Sequence, residues 1–306
     1  MYDYALTFME RKQDQPVLVL DGAMGSLLEE RGVNTTLPLW SARALVEAPG
    51  MVREIHAQYI AAGCNIITAN TFRTQNRTLA KVGMKGKAAE LTRLAVTLAQ
   101  QARRESDRGE NIRIAGSLAP LEDCYRPDLS PSFAEALTEH EETARYLADA
   151  GVDLILIETM PAAAEAAAAL QVAADTGLTV WLSLQTREPG VFLSGESLLD
   201  FLDDLSPLPE AVLVNCIPPG RVMEELQLMR SHLPAAVRVG AYANVGRIDE
   251  SGKWRSEGGM SPVEYAALVL QWVKQSAGIV GACCGSNPSH IRAITEVLTN
   301  ANLMCS

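Results

Sequence analysis

The chain has 306 residues, 48% apolar and 21% charged, with a formal net charge of −11. That composition suits a soluble globular protein with a large core, and an acidic chain without a basic cluster is a poor partner for nucleic acid or an anionic membrane. Charges interrupt every apolar run before ~18 residues, so no transmembrane helix is expected. The first 15 residues alternate apolar and charged side chains, lack the apolar core of a signal peptide and read as an N-terminal helical extension. A cytoplasmic location is expected. In that setting the six cysteines point to metal or thiol chemistry rather than to a disulfide scaffold.

In chain order, short β-rich apolar runs fall at 17–20, 65–69, 112–116, 153–157, 179–184, 211–215, 237–241 and 278–281. Longer helical patterns follow them, near 50–62, 87–106, 132–150, 162–176, 197–205, 221–232, 261–275 and 288–299. Ser261-Pro262 and Asn287-Pro288 each place a capping residue before a first-turn proline. Ala62-Gly63, Ala150-Gly151 and Ala277-Gly278 read as helix ends closed by a left-handed glycine. The alanine-rich stretch 162–174, with Glu165 inside it, reads as a tightly packed helix. The strands are continuous rather than alternating, as burial on both faces requires. Eight βα units with no linker between them point to a single-domain (β/α)8 barrel, a TIM barrel, over 1–306. The alternative is a doubly wound sheet, but Asp21-Gly22-Ala23-Met24-Gly25 is not a dinucleotide fingerprint.

Barrel enzymes carry their chemistry at the C-terminal ends of the strands. Here those ends hold Asp21, then Asn70, Thr71 and Phe72, then Ser117, Glu158 and Thr159, Gln185, Asn215 and Cys216, Tyr242 and Asn244, and finally Cys283 and Cys284. Three cysteines therefore converge on one face. Three thiolates suit Zn²⁺ with a fourth position left open for substrate; alternatives are small buried hydrophobes or a strained vicinal disulfide. Cys124 shares that face in a loop, and Cys64 lies on the opposite, stabilising face. His56, His140, His232 and His290 all fall in helical segments, and no lysine ends a strand. A histidine-rich hydrolase site and a Schiff-base aldolase are thus disfavoured. The Gly285-Ser286 turn before the last helix offers backbone N–H groups to a phosphate. Asp21 and Glu158 could serve as acid and base, hold a substrate ammonium group, or only cap a helix or pair with an arginine.

The sequence resembles the homocysteine S-methyltransferase family from Leu20 to about Ile294. The matching pieces are Asp21-Gly22-Ala23-Met24-Gly25, Leu39-Trp40-Ser41-Ala42, Ala69-Asn70-Thr71-Phe72, Glu158-Thr159-Met160-Pro161, Val214-Asn215-Cys216 and Gly281-Ala282-Cys283-Cys284-Gly285. The Asn-Cys and Cys-Cys-Gly motifs are the specific ones. The resemblance implies a zinc-dependent barrel that methylates homocysteine to methionine. By it, Cys216, Cys283 and Cys284 hold one zinc ion per chain, and Asp21 and Glu158 hold the homocysteine amino group. Thr71, Phe72, Asn215, Tyr242 and Asn244 fall on the substrate side. The Trp40 segment is most similar to the branch that uses S-methylmethionine, and its ring would face a sulfonium. No room remains for a folate or cobalamin domain, so a cobalamin-dependent synthase is not expected. The expected partners are small molecules, homocysteine and a methyl donor. Two rivals are a demethylase of another methylated donor, betaine-like or other, with a thiol acceptor, and a non-catalytic zinc- or thiol-binding barrel. The chain departs from the family where Tyr242-Ala243-Asn244 replaces Tyr-Pro-Asn, and where Ser117–Tyr125 replaces a glycine-rich loop. The long 244–259 segment is a candidate lid.

Overall fold

The computed structural model describes residues 16–248, 254–255 and 258–304. Residues 1–15, read above as a helical extension, and much of the 244–259 segment lie outside them. Eight parallel strands form the centre: β1 (Leu18–Val19), β2 (Ile66–Ala69), β3 (Arg113–Leu118), β4 (Leu154–Met160), β5 (Thr179–Leu184), β6 (Ala211–Asn215), β7 (Arg238–Ala243) and β8 (Ile279–Ala282). The sheet runs β1-β8-β7-β6-β5-β4-β3-β2. Its two edges meet: Leu20 bridges Ile66, the Asp21 N–H donates to the Ile66 carbonyl at 2.9 Å, and the Asn65 N–H to the Val19 carbonyl at 2.8 Å. The expected (β/α)8 barrel is therefore closed.

The strands are apolar throughout because they have two interiors. Successive residues point to opposite faces, so Ile66, Leu154, Leu156, Trp181, Leu213 and Ile279 fill the barrel. Their neighbours Ile67, Ile155, Ile157, Leu182, Val212 and Val280 pack under the helices. Those helices are α1 (Pro49–Ala61), α2 (Ala88–Arg104), α3 (Phe133–Ala150), α4 (Ala163–Ala174), α5 (Leu198–Asp203), α6 (Val222–His232), α7 (Pro262–Gln275) and α8 (Pro288–Asn300).

Ser261 caps α7 by accepting the Glu264 N–H, and Asn287 caps α8. Gly151 ends α3 at φ 80°, as its position predicts. Gly278 does not follow that rule, since it is absent from the positive-φ residues. Its missing side chain instead leaves space for Arg238, which donates to the Gly278 carbonyl at 2.7 Å. The sequence pattern did not anticipate the short helices Gly25–Glu30, Arg43–Glu47 and Asn76–Ala80, nor two small hairpins, Thr186–Glu188 with Val191–Phe192 and Arg247–Ile248 with Trp254–Arg255.

Candidate metal centre and substrate cavity

At the C-terminal end of the barrel, β6 stops at Asn215 and the next residue, Cys216, takes a left-handed φ of 57°. Such a conformation is uncommon for a residue with a Cβ and persists only where its surroundings enforce it. Here it turns the thiol toward the end of β8. Cys216 Sγ lies 3.2 Å from Cys283 Sγ and 3.7 Å from Cys284 Sγ, and the latter two are 4.0 Å apart. A disulfide would need about 2.05 Å. Three sulfurs on a tetrahedral zinc, with Zn–S near 2.3 Å, stand about 3.8 Å apart, so the spacing fits a metal. The electrostatics agree. Hydrogen bonding with Cys216 and then Cys284 pulls the Cys283 thiol down to about 5, while the same contacts push the other two well up. Ionising one thiol thus opposes ionising its neighbours; a divalent cation would let all three ionise.

The loop bearing Cys284 is held from both sides. Its N–H donates to Asn244 Oδ1 at 3.2 Å, and its carbonyl accepts the N–H groups of Val245 and Gly246 at 3.1 Å. Gly246 and Gly285 pack Cα to Cα, so a side chain at either position would collide with the other's backbone. The Gly285 N–H donates to Ser26 Oγ at 2.9 Å and the Ser286 N–H to the Cys283 carbonyl at 3.1 Å. These N–H groups are spent on protein partners, which leaves neither of them for a phosphate at this turn.

A cavity of about 360 Å³ opens beside the sulfurs, within the range of small-molecule sites. Asp21, Trp40, Phe72, Glu158, Tyr242 and the three cysteines all line it. The Asp21 carboxylate accepts the Thr68 N–H at 2.8 Å and the Thr68 hydroxyl at 3.0 Å. Glu158 accepts Ser117 Oγ at 2.5 Å and Tyr242 Oη at 3.2 Å. Neither has a cationic partner among the described residues. Burial therefore pushes Asp21 up to about 8 against its Thr68 bonds, and Glu158 up to about 7 against those from Ser117 and Tyr242. An ammonium group between them would bring both back toward ordinary carboxylates.

Three candidate residues take other places. Asn215 is fully buried; it receives the Thr159 N–H at 3.0 Å and Ser183 Oγ at 2.7 Å, and donates to Thr159 Oγ1 at 2.7 Å. It thereby clamps Thr159 at φ 62°, next to Glu158. Thr71 donates to the Ser117 carbonyl at 2.8 Å and is not among the lining residues. Asn244 touches the cysteine loop rather than the cavity. The four histidines stay on the helices and do not line the cavity. Trp40, at φ 48°, lays its indole over Gly25, where any Cβ would collide with it.

Cys124, placed on this face by its loop, lines the site, as do Arg73, Asp123 and Tyr125, which were not singled out as site residues above. The Tyr125 hydroxyl reaches Cys216 Sγ at 3.4 Å. Its loop, which sets this chain apart from the family pattern, is pinned from below. Leu121 N–H donates to the buried Glu165 of α4 at 2.8 Å, and Glu165 in turn faces His140 at 3.3 Å.

A homocysteine S-methyltransferase sequence profile matches residues 18–298. The homocysteine S-methyltransferase of Escherichia coli K12 is 31% identical over 92% of this chain and 94% of its own length. Homocysteine S-methyltransferase 3 of Zea mays is 29% identical over 92% and 90%. Among solved structures, the metallated form of the E. coli homocysteine methyltransferase MmuM superposes with a TM-score of 0.80 at 28% identity, covering 93% of this chain and 97% of that one.

Proposed function

The chain belongs to the homocysteine S-methyltransferase family, and from that premise we propose that it moves a methyl group from a sulfonium donor, S-methylmethionine, to the thiol of homocysteine. The observation that supports this is the meeting of three metal-spaced thiols and two buried carboxylates in one cavity. In this reading Cys216, Cys283 and Cys284 hold one zinc ion. Zinc supplies Lewis acidity that keeps the substrate sulfur as thiolate, where a free thiol is only a few per cent ionised at neutral pH.

The protein's own groups do the rest. Asp21 and Glu158 bind the homocysteine ammonium and so fix its sulfur toward the open side of the cysteine cluster. Thr68 holds the Asp21 carboxylate, Ser117 and Tyr242 hold that of Glu158, and Asn215 fixes the Thr159 backbone beside it. Phe72 and Trp40 form the apolar wall, and the indole face of Trp40 attracts the sulfonium. The thiolate sulfur attacks the methyl carbon in line. One carbon–sulfur bond forms as the donor's breaks, both products are methionine, and the thiol proton is released. No general base need act at carbon, so positioning supplies much of the rate.

The test is the zinc content of purified, reduced protein, followed by methionine formed from homocysteine and S-methylmethionine. The proposal expects about one zinc per chain and methionine from this pair. Methionine formed from betaine alone would move the donor to a quaternary ammonium compound. Zinc with no methionine from any donor would support a non-catalytic barrel.

A further inference from the structure

Arg73 follows the Thr71-Phe72 pair at the end of β2 and is 4% exposed. A guanidinium stays charged in proteins, and a buried one ordinarily faces a carboxylate. Among the described residues no carboxylate lies within ion-pair distance of Arg73. Its Nη1 donates to the Pro120 carbonyl at 3.2 Å and the Glu122 carbonyl at 2.6 Å. Its Cζ stands 5.1 Å from the Phe72 ring centroid. Its Nε is buried without a partner, and no hydrogen bond of Nη2 is formed with the described residues. Carbonyls and a ring face therefore clamp one side of the group and leave other donors open.

Arg73 is the one cationic side chain among the described residues lining the cavity. Both substrates of the proposed reaction are zwitterionic amino acids. Asp21 and Glu158 account for an ammonium group, and nothing in the site described so far accounts for a carboxylate. We propose that Arg73 binds a substrate carboxylate, that of the sulfonium donor or that of homocysteine, and so restricts the enzyme to carboxylated substrates. This rests on the reading of the reaction above.

The experiment removes the charge from the ligand as well as from the protein. Calorimetric titrations of the metal-loaded protein use one substrate at a time, so no methyl transfer occurs. The donor arm compares S-methylmethionine with its methyl ester; the acceptor arm compares homocysteine with 3-mercaptopropylamine. In the unmodified protein one arm should favour the carboxylate by about ten- to a hundredfold, as a charge-assisted pair does. Arg73→Met should collapse that ratio in the same arm and leave the other unchanged, and Arg73→Lys should restore part of it. The arm that collapses identifies which carboxylate is held.

Two results overturn the proposal. One is the absence of carboxylate preference in both arms of the unmodified protein, which needs no variant to fold. The other is persistence of both ratios in Arg73→Met, which would leave Arg73 as a strut for the 120–122 loop. If S-methylmethionine and its ester both fail to bind, the donor assignment falls and the acceptor arm alone decides Arg73.

Discussion

At the N-terminal end of the barrel, the Asp153 carboxylate accepts from Arg103 at 2.8 Å and from the Ile114 N–H at 2.7 Å. Arg108 caps the carbonyls of Ile60, Gly63 and Cys64, and the buried Trp181 donates its indole N–H to Glu210 at 3.1 Å beneath the Arg113 guanidinium. These polar groups meet their complements within the protein. At the C-terminal end the groups are more deeply buried and, among the described residues, are not complemented: two carboxylates without a cationic partner, a guanidinium with no carboxylate in ion-pair contact, and three thiols crowded together. Leaving such groups unmatched is costly. The cost persists because the closed barrel below holds the strand ends in place, and it is removed when metal and zwitterionic substrates arrive. Charge imbalance under burial distinguishes the working end from the supporting one.

The sharpest way to break this comparison is to exchange thiols between the ends. Cys216→Ala should lose both zinc and methyl transfer while the fold remains. Cys64→Ala removes a fully buried lone thiol from the supporting end. It should keep zinc and activity and cost about 1 kcal/mol of stability. Metal analysis and methionine assays on both variants check this; an active, zinc-free Cys216→Ala would sink the metal assignment. Trp181→Ala probes the other end by emptying the barrel floor. The expected loss is about 3–5 kcal/mol in chemical denaturation, with KM for homocysteine unchanged in the protein that remains folded.

The fold was legible because all eight strands have two buried faces, which turns each into an apolar run that a single sequence displays. The altitude of the site was legible too, since strand ends can be located. Direction was not. Asn215 and Cys216 are adjacent, yet Asn215 turns inward to Thr159 while the left-handed Cys216 turns to the sulfur cluster. Thr71 and Phe72 part in the same way. Arg73 escaped notice because its importance lies in the carboxylate it lacks, and only packing reveals that. The 117–125 loop has no periodicity, so nothing in its residues places Tyr125 on Cys216.

The smallest expected signal sharpens the comparison most directly, because it counts protons. Asp21 and Glu158 are raised to about 8 and about 7. Near pH 7 the empty site therefore holds protons that ordinary carboxylates would have shed. An ammonium ligand needs both groups ionised, so binding must expel those protons. Affinity should rise with pH through this window and level off above about 8. Methionine is the suitable probe, since it has no thiol proton of its own to release. Calorimetry at neutral pH in buffers of different ionisation enthalpy should show net proton release. Glu158→Gln should reduce that release, weaken methionine about ten- to a hundredfold, and leave the zinc in place. Binding without proton release would mean that both carboxylates are already ionised in the free protein, and that the working end is balanced by a partner other than substrate. Loss of zinc from Glu158→Gln would instead assign that carboxylate to the metal.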